Sequence, residues 1–215
     1  LPFVAPKKYL DLYKDSKITL APNQSRKNTS YGHRSGEFYK YTVPYEETNP
    51  LSQDHQVKAK KAYYACVSYI DAQLGRVLDK LKELNLDQNT IVVLWGDHGW
   101  NLGDHAMWAK HTVLETALKS PFMISVPAQK AFHSKAIVES LDIYPTLLKL
   151  CNLENTATQS PLSGQDLSLL FNPDQEGKNF ALADWGQSFS IRNMTHRLLA
   201  KKSAKGFKDL ELYDH

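Results

Sequence analysis

The sequence predicts an α/β protein: a mostly parallel sheet with flanking helices, followed by a small C-terminal antiparallel sheet. Three observations carry this expectation. From Gln53 to Asn85, apolar residues recur at alternating steps of three and four (Tyr63, Val67, Ile70, Leu74, Val77, Leu81, Leu84), one face of a long amphipathic helix. The apolar run TIVVLW (90–95) follows at once, and uninterrupted strands of that kind are those buried on both faces of a parallel sheet. After Gly164 the texture changes to short pieces joined by Gly and polar turns, as in a small antiparallel sheet.

Taken in order, residues 1–52 carry Pro2, Pro6, Pro22, Pro44 and Pro50, with Gly32 and Gly36, and few periodic apolar positions. They read as a long irregular surface segment. Its aromatics Tyr31, Phe38, Tyr39, Tyr41 and Tyr45 suit a binding rim better than a solvated linker. On the long helix, Lys58, Lys60, Lys61, Asp79, Lys80, Lys82 and Glu83 read as solvent-side residues, and Asn85, Asp87 and Gln88 supply the stop. A second strand is expected in PFMISVP (121–127). A second helix is expected in SLDIYPTLLKLCNL (140–153), with Pro145 in its first turn, where a missing amide costs least. FALADW, FSIR, HRLLAKK and LELYD then read as the antiparallel strands. The boundary is expected near residues 155–175, giving an α/β portion over 1–160 and a small α+β subdomain over 161–215.

Composition narrows the function classes. With 42% hydrophobic and 23% charged residues the chain is globular rather than disordered. A net charge of +3 suits an anionic ligand, but the basic residues are interleaved with acidic ones, so no nucleic-acid tract is expected. No apolar run reaches the roughly 18 residues of a membrane span. Cys66 and Cys151 have neither metal-motif spacing nor the count of a disulfide framework, and both read as buried thiols. A start on Leu1 and a stop at ELYDH lead us to expect a portion of a longer chain.

The chemistry is concentrated in VVLWGDHGW (92–100). A core strand does not need to end in Gly96, then place a carboxylate and an imidazole side by side at Asp97 and His98, then release into Gly99. In open α/β sheets ligands bind at the carboxyl ends of strands, and glycines there let the backbone turn and a ligand approach. Asp97 and His98 are both competent ligands for a divalent cation, although two ligands alone cannot hold one. The plain alternative is that Asp97 caps the turn and His98 packs on Trp95 or Trp100. The following NLGDHAMWAKH adds His105, Lys110 and His111, groups that can neutralise or protonate an oxyanion.

In order, LPFVAPKKYLDLY, YYACVSYIDAQLGRVLDKL, LWGDHGWNLGDHAMWAKH, SPFMISVP, SLDIYPTLLKL and SIR followed by ELYD resemble the C-terminal half of type I sulfatases of the alkaline-phosphatase superfamily, in the branch of iduronate 2-sulfatase and its bacterial relatives. The resemblance spans nearly the whole chain and implies an incomplete alkaline-phosphatase-like sheet. It implies hydrolysis of sulfuric esters of a sulfated sugar, with Ca2+ and a formylglycine nucleophile as cofactors. It assigns Asp97 and His98 to the calcium site, and Lys110 to the sulfate ester. Trp100 and His105 are assigned to the substrate pocket, and His98 and Lys110 would be the catalytic residues of this part. Neither Cys66 (ACVSY) nor Cys151 (LCNLE) lies in the family's C-x-[PA]-S-R context, and the consecutive aspartates that complete the calcium site are not in this sequence. An N-terminal portion of the same enzyme is therefore the expected partner, and the chain alone is expected to be inactive. The compartment implied is secreted or periplasmic in bacteria and lysosomal in animals. Two other functions fit the same residues: a phosphodiesterase or phosphatase of the superfamily, and a non-catalytic binding remnant.

Overall fold

The computed structural model describes residues 3–25, 28–32, 37–41, 51–153, 160–172 and 175–215. The chain forms two compact units, residues 1–129 and 130–215. The first holds helices α1 (Lys7–Asp11), α2 (Glu37–Tyr41), α3 (Gln53–Glu83) and α4 (Glu115–Leu118), with strands β1 (Val92–Trp95), β2 (Asn101–Leu102), β3 (Trp108–Ala109) and β4 (Phe122–Ser125). The second holds α5 (Ile143–Leu150) and strands β5 (Ala181–Trp185), β6 (Ser188–Arg192), β7 (His196–Ser203) and β8 (Gly206–Asp214).

The long helix lies where the apolar period places it. Ser52 caps its start, its hydroxyl accepting the His55 N–H at 3.4 Å, and the chain leaves through Asn85 in the left-handed region at φ 56°. Its buried face differs from the expected one. Val67, Ile70, Val77 and Leu84 are more than half exposed, whereas Gln56, Ala59, Lys60 and Ala65 are buried. The segment 3–24 causes this by packing on the other side of the helix. Tyr9 meets Tyr69 at 5.2 Å, Tyr13 meets Tyr64 at 5.7 Å, and the Tyr13 and Ser68 hydroxyls share a 2.7 Å hydrogen bond. Lys60 and Lys61, expected to face solvent, donate their ammonium groups to the Thr19 and Lys14 carbonyls at 2.6 and 2.7 Å. Their long stems span the apolar surface while the charged ends find oxygen.

The two strands flanking the site pair antiparallel, from Val92 opposite Ser125 to Trp95 opposite Phe122, rather than parallel as expected. The reason is local. The chain leaves β1 at Gly96 and re-enters beside it at Pro121, where the Gly96 N–H donates to the Pro121 carbonyl at 2.9 Å, so β4 must run back. Among the described residues these two strands form a two-stranded sheet of their own. Beneath the loop that follows lies the core of this unit: Phe38, Leu51, Ala59, Trp108 and Ala109, with Phe3, Tyr39, Trp100 and Leu102 against it.

Tyr31 and Phe38, expected on a rim, are therefore core residues, 3% and 2% exposed. Phe38 stacks on Trp108 with 4.8 Å between ring centres, which anchors α2 to the loop of β3. The Tyr41 side chain and Tyr45 lie outside the described residues.

In the second unit, β5–β6–β7–β8 form the expected antiparallel meander. Pro145 stands in the first turn of α5, also as expected. The division expected at 160/161 falls inside this unit. Residues 164–167 are strapped to the start of α5: Asp142 accepts the Gln165 N–H at 2.7 Å and Thr146 accepts the Leu167 N–H at 2.8 Å. Neither cysteine is fully buried: Cys66 is half-buried on α3 and Cys151, at the end of α5, is exposed. Among the described residues no helix is long and apolar enough to cross a membrane.

Candidate functional site at the end of β1

The turn after β1 puts Asp97 at the surface, its side chain 74% exposed, and His98 beside it at 31%. The His98 Nδ1–H donates to the Gly99 carbonyl at 2.8 Å, since a carbonyl can only accept. With Nδ1 engaged there, Nε2 is the ring nitrogen that faces Asp97 Oδ2, at 3.4 Å. Two electron-rich atoms at that separation match adjacent ligands around a divalent cation with bonds of about 2.4 Å, which lie about 3.4 Å apart. Without a cation or proton between them, the same atoms repel.

Gly99 is there for packing rather than for a ligand. A Cβ on it would collide with the Thr116 carbonyl oxygen and lie 2.7 Å from that of Lys119, and its N–H donates to the Ala117 carbonyl at 2.7 Å. At Gly99 the backbone around α4 occupies the space from which a ligand or ion was expected to approach.

Trp100 organises the site. Its ring lies 6.0 Å from the His98 imidazole, 5.7 Å from Phe3 in the core, and 5.9 Å from the Lys110 ammonium. The packing of His98 on tryptophan and its exposure of Nε2 to Asp97 therefore coexist. The Trp100 indole N–H is buried with no hydrogen-bond partner among the described residues, a donor available to an oxygen.

Lys110 is placed by the two-stranded β2–β3 ribbon, in which Asn101 pairs with Ala109 and Leu102 with Trp108. Buried Asn101 donates to the Ala109 carbonyl at 2.7 Å and accepts from the Thr116 hydroxyl. Ala109, fully buried, ends β3 at φ 76°, a strained conformation for a residue with a Cβ, immediately before Lys110. The Lys110 ammonium lies 3.8 Å from Glu37 Oε1, and His111 Nδ1 lies 3.2 Å from Glu37 Oε2. His105 stands in the left-handed region at φ 52° and donates its backbone N–H to the Asn23 carbonyl at 2.5 Å. It makes no hydrogen bond, ion pair or ring contact with Asp97, His98, Trp100 or Lys110 among the described residues.

Of the expected residues, then, His98, Trp100 and Lys110 converge, Asp97 adjoins His98, and His105 stands apart. Glu37, Asn101 and Thr116 were not anticipated. Asn101 had a signal, a polar residue between Trp100 and Leu102 in a loop with many apolar neighbours. Glu37 had none, because nothing local ties it to a lysine so distant in sequence. As a metal site the donor set is partial: among the described residues no three His, Cys, Asp or Glu side chains are grouped to hold an ion. Asp97 Oδ2 and His98 Nε2 fit as two of its ligands.

A bacterial relative from Formosa agariphila, named Sulfatase, is 37% identical over 155 residues, covering 72% of this chain and 31% of its own length. A mouse relative, named Iduronate 2-sulfatase, is 33% identical over 190 residues, covering 71% and 34%. The chain thus spans about a third of the length of these curated relatives. The phosphonate monoester hydrolase of Silicibacter pomeroyi shares the fold, with a TM-score of 0.80 at 20% identity over 100% of this chain and 47% of that one. The α/β class with an incomplete alkaline-phosphatase-like sheet and a C-terminal antiparallel sheet follows from that likeness. The sulfatase family model matches residues 2–153, well over half of the sequence, and the chain belongs to the sulfatase family.

Proposed function

We propose that this chain carries the C-terminal part of the active site of a calcium-dependent sulfuric ester hydrolase acting on a sulfated sugar. The observation that supports it most is the shared indole: His98, beside Asp97, and Lys110 both lie against Trp100. In this reading Asp97 Oδ2 and His98 Nε2 hold calcium, which when bound supplies positive charge against the sulfate oxygens. Lys110 brings a compact ammonium to the ester, a point charge with three donors. Trp100 offers its indole N–H and a flat apolar wall, while the role of His105 in substrate binding rests on the family resemblance alone. The substrate class is taken from the name of the mouse relative, and a secreted, periplasmic or lysosomal compartment is proposed from the family resemblance alone.

The formylglycine nucleophile does not fit either cysteine of this chain. Cys66 lies along α3, where burial pushes its thiol up, and Cys151 ends α5. We assign the nucleophile and the remaining calcium ligands to an N-terminal portion of the enzyme, in keeping with the third of the relatives' length spanned here.

Replacing Asp97 with Asn in the full-length enzyme should weaken calcium binding, read by titration calorimetry, and lower sulfate-ester turnover by roughly 100-fold or more. Unchanged turnover removes Asp97 from the site. An aryl phosphate assayed in parallel separates the phosphatase alternative. Stoichiometric binding of a sulfated sugar without turnover would identify a binding remnant.

A further inference from the structure

We infer that Glu37 is a positioning residue that holds the Lys110 ammonium against the Trp100 ring and presents it to the anionic ester. The inference rests on the proposed role of Lys110 and adds to it a carboxylate from a distant segment.

The geometry behind it begins with α2. Phe38 is 2% exposed and stacks on Trp108, so this short helix is fixed to the strand that ends just before Lys110. The residue beside Phe38 is Glu37, whose side chain is only 11% exposed and reaches Lys110 at 3.8 Å and His111 at 3.2 Å. A carboxylate so far removed from water is stabilised by cationic neighbours, and the Lys110 ammonium is one within ion-pair distance. On the chain side, Lys110 follows Ala109, which stands at φ 76° with its carbonyl held by buried Asn101. Lysine carries three N–H donors, and a carboxylate at ion-pair distance attracts the ammonium without taking up a donor that ester oxygens could use. At 3.8 Å the ion pair is looser than a charge-assisted hydrogen bond of about 2.8 Å, so the ammonium is oriented by the charge without being locked to it.

The competing account is purely structural: an acidic residue in the first turn of a helix is favoured by the helix dipole, and Glu37 occupies that place in α2. The two accounts differ in whether Glu37 acts through Lys110. The test is a double-mutant cycle in the full-length enzyme, following kcat and KM for an aryl sulfate alongside thermal unfolding.

Lys110→Ala should lower kcat by about 100-fold, the cost of removing one preorganised charge. Glu37→Gln should lower kcat by about 10-fold with KM within about two-fold, less than the roughly 100-fold that a 1 Å misplacement can cost. Once Lys110 is already Ala, Glu37→Gln should change kcat by less than about two-fold. An equal fall in both backgrounds, or an unchanged kcat in Glu37→Gln, overturns the inference while leaving Lys110 in its role. An unchanged kcat in Lys110→Ala instead overturns the proposed role of the lysine, and this inference with it. Should Glu37→Gln fail to fold, Glu37→Asp retains the charge on a shorter arm. It should give a smaller fall that also vanishes in the Lys110→Ala background, and persistence of that fall overturns the inference.

Discussion

Gly99 carries a lesson at the scale of single residues: it flanks the proposed ligand pair Asp97 and His98, yet its small size answers to packing. Its Cα faces the Thr116 and Lys119 carbonyls, and its N–H is bonded to Ala117. Gly99→Ala should therefore destabilise the protein by about 1–3 kcal/mol through overpacking against backbone that cannot rotate away. Chemical denaturation of the full-length protein measures this, and an unaltered midpoint would show that the α4 turn gives way. The residues proposed to do chemistry were easier to read than this glycine. Asp97, His98 and Lys110 belong to types that a core does not request, so their presence after an apolar strand has meaning before any coordinates exist. Glu37 has an ordinary type in an ordinary place, and only its tertiary neighbours, Lys110 and His111, distinguish it.

Among the elements, the start of α5 shows an ion cluster that patterning does not reveal. Asp142 is fully buried, and the Lys178 ammonium lies 2.7 Å from it and 2.5 Å from Glu139. Glu139 also accepts the Leu182 N–H at 2.8 Å, tying β5 to this helix. Burial alone would lower the lysine's pKa, but the hydrogen bonds from its ammonium to Asp142 and Glu139 together outweigh that and hold it above the usual 10.5. A pKa raised on folding gives stability that is complete below 10.5 and is lost as pH rises through the folded value. Lys178→Met should cost about 3–5 kcal/mol, because it leaves two carboxylates, one of them fully buried, without their cation. The deficit relative to the unmodified protein should hold at neutral pH and shrink above pH 10.5, followed by urea unfolding across pH. A deficit independent of pH would mean that the lysine stem, not its charge, is what matters. The helix and strand positions themselves were legible, since three-four and two-residue periods mark them directly. The antiparallel pairing of β1 with β4 was not, because periodicity reports burial and says nothing of a neighbour's direction. The same limit explains Lys60 and Lys61, whose charge suggested solvent while segment 3–24 offered carbonyls.

For the molecule as a whole, the apolar face that the sequence assigned to the core of α3 is largely open. Val67, Ile70, Val77 and Leu84 are 53%, 60%, 64% and 53% exposed, and on β1 and β4 Trp95 and Met123 are 45% and 57% exposed. Monomeric proteins rarely leave contiguous apolar patches of more than a few hundred Å² uncovered, and unpaired strand edges add to the hazard. Hydrophobic composition counts such residues but cannot say what lies over them, which is why the helix was legible and its cover was not. The 215 residues alone should therefore associate at tens of micromolar, seen as excess mass in light scattering. A monomeric sample with a cooperative melt would contradict this. Substitution on the open face separates stickiness from function. Ile70→Glu with Val77→Glu should make the isolated chain more soluble by charging the patch. In the full-length enzyme, where we expect the rest of the chain to cover that face, the same pair should lower stability by several kcal/mol, since charge would be buried without a partner. If both proteins gain solubility and neither loses stability, the α3 stripe faces solvent in the complete protein and its apolar period serves something other than the core.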